Sequence, residues 1–144
     1  MKVGYVGLGK MGSNMALHLI EKGHQVVGFD ANPDAIRSAE KAGIQGASSL
    51  AELAAKLERP RIIWLMGTAG KAIDDVIQGL IPHLSKGDII IEGGNSFFRD
   101  SQRRYNWLKE KSIHFLDVGV SGGPEGARHG AALMIGGERG DFDT

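Results

Sequence analysis

The chain has 144 residues, enough for one domain with a real core, and its 17 basic and 17 acidic side chains cancel. A neutral balance supplies no field to attract nucleic acid or a membrane surface, so neither is expected as a partner. The absence of cysteine excludes disulfides, thiolate metal ligands and a cysteine nucleophile, and it fits a reducing compartment, most simply the cytoplasm.

Met1 and Lys2 lead into an apolar run too short and too glycine-interrupted for a signal peptide, and no stretch approaches a membrane span. That run, Val3 to Val6, has the β-branched and aromatic residues of a buried strand. Gly7-Leu8-Gly9-Lys10-Met11-Gly12 follows as a GxGxxG. Met11, Met15, Ala16, Leu19 and Ile20 then recur at helical spacing, Gly23 stops the helix, and a second strand from Gln25 to Phe29 ends in Asp30.

In a strand, glycine loop and helix of this kind, Gly7 permits the tight turn, Gly9 lets a pyrophosphate approach the backbone, and Gly12 lets the helix pack against the sheet. The helix start offers N–H groups and a positive dipole end to phosphates. An acid about 20 residues past the loop can accept hydrogen bonds from the adenosine ribose and would repel a 2′-phosphate. Asp30 therefore argues for NAD over NADP as the cofactor.

Further along, Asn32 can cap a helix that starts at Pro33 and runs to about Ala42, where Gly43 ends it. A short third strand near Ile44 and Gln45 comes next. Ser49 and Glu52 form a capping box opening a helix with Leu50, Leu53, Ala54 and Leu57 on its apolar face. Ile62 to Met66 is apolar enough for a central parallel strand. After a flexible turn at Gly67 to Gly70, a helix pairs Ala72 with Ile73, Val76 with Ile77 and Leu80 with Ile81, leaving Asp74, Asp75 and Gln78 to water.

Ile89 to Ile91 reads as the fifth strand, Glu92 to Ser96 as a loop, 97–111 as a helix and Ile113 to Val118 as the sixth strand. A second glycine loop, Val120 to Gly123, precedes a seventh strand at Ala131 to Ile135. This alternation specifies an α/β fold of the Rossmann type, a doubly wound, mostly parallel sheet with helices on both faces. Ligands bind such sheets beyond the carboxyl ends of the strands. The rim therefore carries the loops at Gly7 to Gly12, Gly67 to Gly70, Glu92 to Ser96 and Val120 to Gly123. Asn95 and Ser121 place an amide and a hydroxyl there, beside the backbone N–H groups of Gly122 and Gly123.

Together with Glu92-Gly93-Gly94-Asn95-Ser96, His114 to Gly123 and Leu133-Met134-Ile135-Gly136-Gly137, the glycine loop resembles the amino-terminal domain of a 6-phosphogluconate dehydrogenase, within the wider β-hydroxyacid dehydrogenase family. In 3-hydroxyisobutyrate-type relatives a serine-threonine motif replaces the Asn95 loop, and a proline stands where this chain has Gly119. Both positions favour the phosphogluconate branch. Glu92 departs from the aspartate common in the family.

The resemblance implies decarboxylating oxidation of 6-phosphogluconate in the pentose phosphate pathway. The cofactor set it implies is Gly7, Leu8, Gly9, Lys10, Met11, Gly12, Asp30, Ala31, Met66, Ala69 and Asn95, and the substrate set is Asn95, Ser121, Gly122 and Gly123. No metal is expected. The family's catalytic lysine and glutamate belong to a helical second domain, which the resemblance places beyond Thr144. No catalytic residue is therefore expected in 1–144 and the chain alone should be inactive, while the full-length protein should form a homo-oligomer.

His129 is the histidine nearest the substrate loops and reads mainly as a surface residue. Arg99, Arg103, Arg104, Lys109 and Lys111 form a basic stripe that could reach a sugar phosphate but reads mainly as a solvated face balanced by Asp100 and Glu110, and Trp64 and Trp107 read as packing residues. Two other readings stay open: another β-hydroxyacid dehydrogenase, of 3-hydroxyisobutyrate type, and a non-catalytic, stand-alone NAD-binding module.

Overall fold

The computed structural model describes residues 1–67 and 70–143. Seven strands form one sheet in the order β3-β2-β1-β4-β5-β6-β7. They are β1 (Lys2–Val6), β2 (Gln25–Phe29), β3 (Gln45–Gly46), β4 (Ile62–Leu65), β5 (Ile89–Glu92), β6 (His114–Ser121) and β7 (Ala132–Gly136). The first six run parallel, and β7 pairs antiparallel with β6, Val118 opposite Ile135. The helices are α1 (Lys10–Glu21), α2 (Pro33–Lys41), α3 (Leu50–Ala55), α4 (Lys71–Leu80), α5 (Phe98–Lys109), α6 (Gly123–His129) and α7 (Arg139–Phe142).

Alternation along the strands divides the core into two layers. Val3, Tyr5 and Val26 face Leu8, Ala16, Ala39 and Ile44 on the α1–α2 side. Val6, Ile63, Leu65 and Ile90 face Leu53, Ile73, Ile77, Leu80 and Leu108 on the α3–α4–α5 side. Trp64 stacks on Tyr5 with ring centroids 6.0 Å apart and an interplanar angle of 7°, so it is a packing residue as expected. The predicted caps form as well: Asn32 accepts from the Asp34 amide and Ser49 from the Glu52 amide.

Four expectations need correction. Val120 and Ser121 belong to β6 and not to a loop, and Gly123–His129 form α6, a helix the glycines concealed. Pro124 in its first turn was the available signal, because proline suits that position. The last strand runs antiparallel because 122–131 is shorter than the dozen or so residues a parallel crossover needs.

The third correction is Arg104, expected on a solvated stripe but fully buried. On α5 it shares one face with Ser101 and Leu108, which are also buried, and that i, i+3, i+7 spacing was legible beforehand. Asp74, expected to face water, is half-buried because it pairs with this arginine. Among the described residues no helix is long and apolar enough to cross a membrane.

Candidate dinucleotide site

The turn out of β1 is set by backbone geometry. Gly7 has φ +98°, and a Cβ there would lie 2.8 Å from the Met66 carbonyl. At Gly12 a Cβ would lie 1.9 Å from the Gly7 oxygen, so α1 can approach β1 only because residue 12 has no side chain. At Gly9 a Cβ would meet nothing within 4 Å. The third result differs in kind from the first two: the protein does not need glycine at position 9, whereas a ligand lying against the loop would. No side chain caps the start of α1 either, so its positive end faces the rim.

Asp30 is already engaged by the loop. Its Oδ2 accepts from the Leu8 amide and its Oδ1 from the Asn32 amide, both at 2.8 Å. A carboxylate has about four acceptor sites, so two remain for hydroxyl groups, while the Leu8 bond fixes the glycine loop to the end of β2 and the Asn32 bond closes the turn that follows β2. Ser13 ties the loop to the first turn of α1 by donating its hydroxyl to the Leu8 carbonyl at 2.7 Å.

Between these loops and α4 lies a crevice of about 260 Å³ lined by Val6, Gly7, Asp30, Ala31, Gly67 and Val76, among others. It opens between β1, β2 and β4, at the point where the strand order reverses. A larger hollow of about 500 Å³, between α5, β6 and the end of β7, touches none of the expected site residues. Size alone would have misplaced the site.

Toward β5 and β6 the rim is tied together by side chains. Asn95 sits at φ +57°, a conformation that non-glycine residues seldom take, and its Oδ1 accepts from the Val120 amide at 3.2 Å. The Glu92 side chain is fully buried and accepts from the Gly94 amide at 2.6 Å, forming a tight turn beneath Asn95. Ser121, Gly122 and Gly123 are exposed at the mouth of α6. Asn14 on α1 donates to the Pro124 carbonyl at 2.8 Å, and Glu21 pairs with Arg128, so the two glycine-bearing helices are clamped to each other.

Of the expected cofactor residues, Gly7 to Gly12, Asp30, Ala31 and Met66 gather where β1, β2 and β4 end, and Asn95 stands at the neighbouring end of β5. Ala69 lies outside the described residues, and so does Thr144, the point past which the catalytic lysine and glutamate are expected. His129 is exposed at the last turn of α6. Sequence reasoning missed the Arg104–Asp74 pair beneath the rim and the left-handed turn at Asn95. Among the described residues, no group of three or more histidine, aspartate or glutamate side chains could hold a metal ion.

The family model described as the NAD binding domain of 6-phosphogluconate dehydrogenase matches residues 2–144. The chain belongs to this family. It is 50% identical over 96% of its length to YqeC of Bacillus subtilis, named as a candidate 6-phosphogluconate dehydrogenase, and 45% identical over 95% to an NAD(+)-dependent, decarboxylating 6-phosphogluconate dehydrogenase of the same organism. It spans 46% and 30% of those two relatives.

Among solved structures, the 6-phosphogluconate dehydrogenase of Plasmodium falciparum superposes with a TM-score of 0.90 at 35% identity, covering 99% of this chain and 32% of that one. The 3-hydroxyisobutyrate dehydrogenase of Mycobacterium tuberculosis gives 0.91 at 25% identity, covering 99% and 48%. Backbone shape therefore does not separate the two branches, and residue identity does. NAD(P) binding is supported by the family, and the open space at Gly9 is compatible with it.

Proposed function

We propose that residues 1–144 form the cofactor domain of an NAD-preferring, decarboxylating 6-phosphogluconate dehydrogenase. The observation that carries this reading is the pairing of a glycine loop open at Gly9 with the Asn95 turn tied to Val120, in a chain matched over residues 2–144 by the family model. In this reading Gly7 to Gly12 hold the pyrophosphate, with the α1 dipole opposite its charge. Asp30 and Ala31 meet the adenosine ribose, Met66 and Ala69 flank the cofactor, and Met11 and Asn95 lie toward the nicotinamide end.

A nicotinamide held here would supply the acceptor for the hydride of the substrate's secondary alcohol. The chain's own contribution is to orient the reactants: Asn95, Ser121, Gly122 and Gly123 supply donors and acceptors to the sugar acid. The base for the hydroxyl proton and the acid that protonates the enol come from a helical catalytic and dimerisation domain outside these residues. The balanced reaction takes 6-phosphogluconate and NAD to ribulose 5-phosphate, carbon dioxide and NADH, and it belongs to a cytoplasmic homo-oligomer.

The test joins residues 1–144 in frame to the remaining length of the NAD(+)-dependent Bacillus subtilis relative. NADH formation with 6-phosphogluconate and none with 3-hydroxyisobutyrate is expected. Turnover of 3-hydroxyisobutyrate alone would overturn the substrate assignment. The chain by itself should bind NADH without turning over either acid.

A further inference from the structure

The Arg104 guanidinium is fully buried and spends each of its three nitrogens on a different partner. Nε donates to Asp74 Oδ1 at 2.8 Å, Nη1 to Ser96 Oγ at 3.0 Å and Nη2 to the Gly70 carbonyl at 2.9 Å. A buried cation needs a counter-charge, and Asp74 provides it. Charge balance alone does not require the other two bonds. These run to the ends of two separate rim loops, one after β4 and one after β5.

The loops serve opposite ends of the crevice. Gly70 and Asp74 fix the start of α4, whose Ala72, Ile73 and Val76 wall the cavity beside Asp30. Ser96 follows Asn95, the residue held at φ +57°. A conformation of that kind persists only where its surroundings hold it. Here the hold comes from the Val120 amide on one side and from Arg104, through Ser96, on the other. A planar fork with fixed donors can set such a spacing, and a single ammonium cannot.

We propose that Arg104 is a positioning residue that sets the distance between the adenosine and nicotinamide ends of the site, acting on one through Gly70 and Asp74 and on the other through Ser96. This rests on the dinucleotide reading above.

ADP fills only the adenosine and pyrophosphate end, and NADH spans both. The experiment titrates wild type, Ser96→Ala, Arg104→Lys and the double variant with each ligand, with thermal midpoints measured alongside. Ser96→Ala is expected to leave ADP affinity within about twofold and to weaken NADH about fivefold or more, a free-energy change near 1 kcal/mol. Arg104→Lys is expected to weaken both ligands. In the double variant the NADH loss should equal that of Arg104→Lys alone, because Ser96 acts through the arginine.

An unchanged ratio of NADH to ADP affinity in both single variants would reduce Arg104 to general packing and overturn the proposal. A further NADH loss in the double variant would mean that Ser96 meets the ligand directly, and would overturn it too. Wild type that binds neither ligand would refute the dinucleotide reading itself, and this proposal with it.

Discussion

Strand β1 is buried from Val3 to Val6, whereas every residue of β7 from Ala132 to Gly136 is exposed, Met134 at 74%. The β1–α1–β2 unit closes on itself: Asp30 fastens the glycine loop, and Gly12 lets the helix seat against the strand. The α6–β7 edge, beyond the buried β6, is clamped by Asn14 and Glu21 of α1 and carries Leu133, Met134 and Ile135 on its surface. The β1–α1–β2 end is thus shaped by its own packing. The α6–β7 end is held by clamps, and its apolar surface suits a covering element, in keeping with the proposed second domain.

The sharpest way to break this contrast is at the glycines. Gly12→Ala drives a Cβ into the Gly7 carbonyl, and helix propensity returns at most about 1 kcal/mol against an overpacking cost of about 1–3 kcal/mol or more. A lowered thermal midpoint and an NADH affinity reduced about 100-fold, near 2.7 kcal/mol, are expected. Gly9→Ala should weaken NADH by a similar factor with the midpoint unchanged, since its Cβ meets no protein atom. Equal midpoint losses in the two variants would erase the distinction between packing glycine and ligand glycine.

A smaller effect is expected at the clamp. Asn14→Ala removes one hydrogen bond, worth about 1 kcal/mol, and should speed hydrogen exchange in α6 while sparing β1. Uniform acceleration across the sheet would contradict an edge held locally.

Acid should reach the rim through Asp74. Burial acts to raise its carboxyl, but the hydrogen bonds from Arg104 and Arg103 outweigh burial and hold it below the ordinary carboxylate range. A depressed folded value means the stabilisation is complete above the unfolded value of about 3.9 and is lost as pH falls through the folded one. The midpoint difference between wild type and Asp74→Asn should therefore be flat from pH 7 to 5 and shrink below pH 4. A difference that grew toward acid would reverse the sign. The smallest effect belongs to Met134→Lys on the exposed face, expected to shift stability by no more than about 0.5 kcal/mol, read from denaturant midpoints.

The regular elements were legible wherever one local signal sufficed. Caps at Asn32 and Ser49, the β-branched run at Ile89 and the glycine loop all announced themselves within a few residues. Part of what stayed hidden depended on partners far along the chain. The spacing of Arg104 with Ser101 and Leu108 marks a buried face, but its partner Asp74 lies thirty residues away. The left-handed turn at Asn95 is fixed by Val120, twenty-five residues on. Asp30 was half visible: its distance from the glycines suggested the proposed ribose contact, but its bond to the Leu8 amide depends on how β1 and β2 lie side by side.

The most direct measurement is titration of the chain and of Asp30→Ala with NAD and NADP at equal ionic strength. Wild type is expected to bind NAD more tightly, and the variant to lose that preference by about tenfold, near 1.4 kcal/mol. Equal binding of both nucleotides by wild type and variant would contradict the role given to Asp30, and binding of neither would contradict the site.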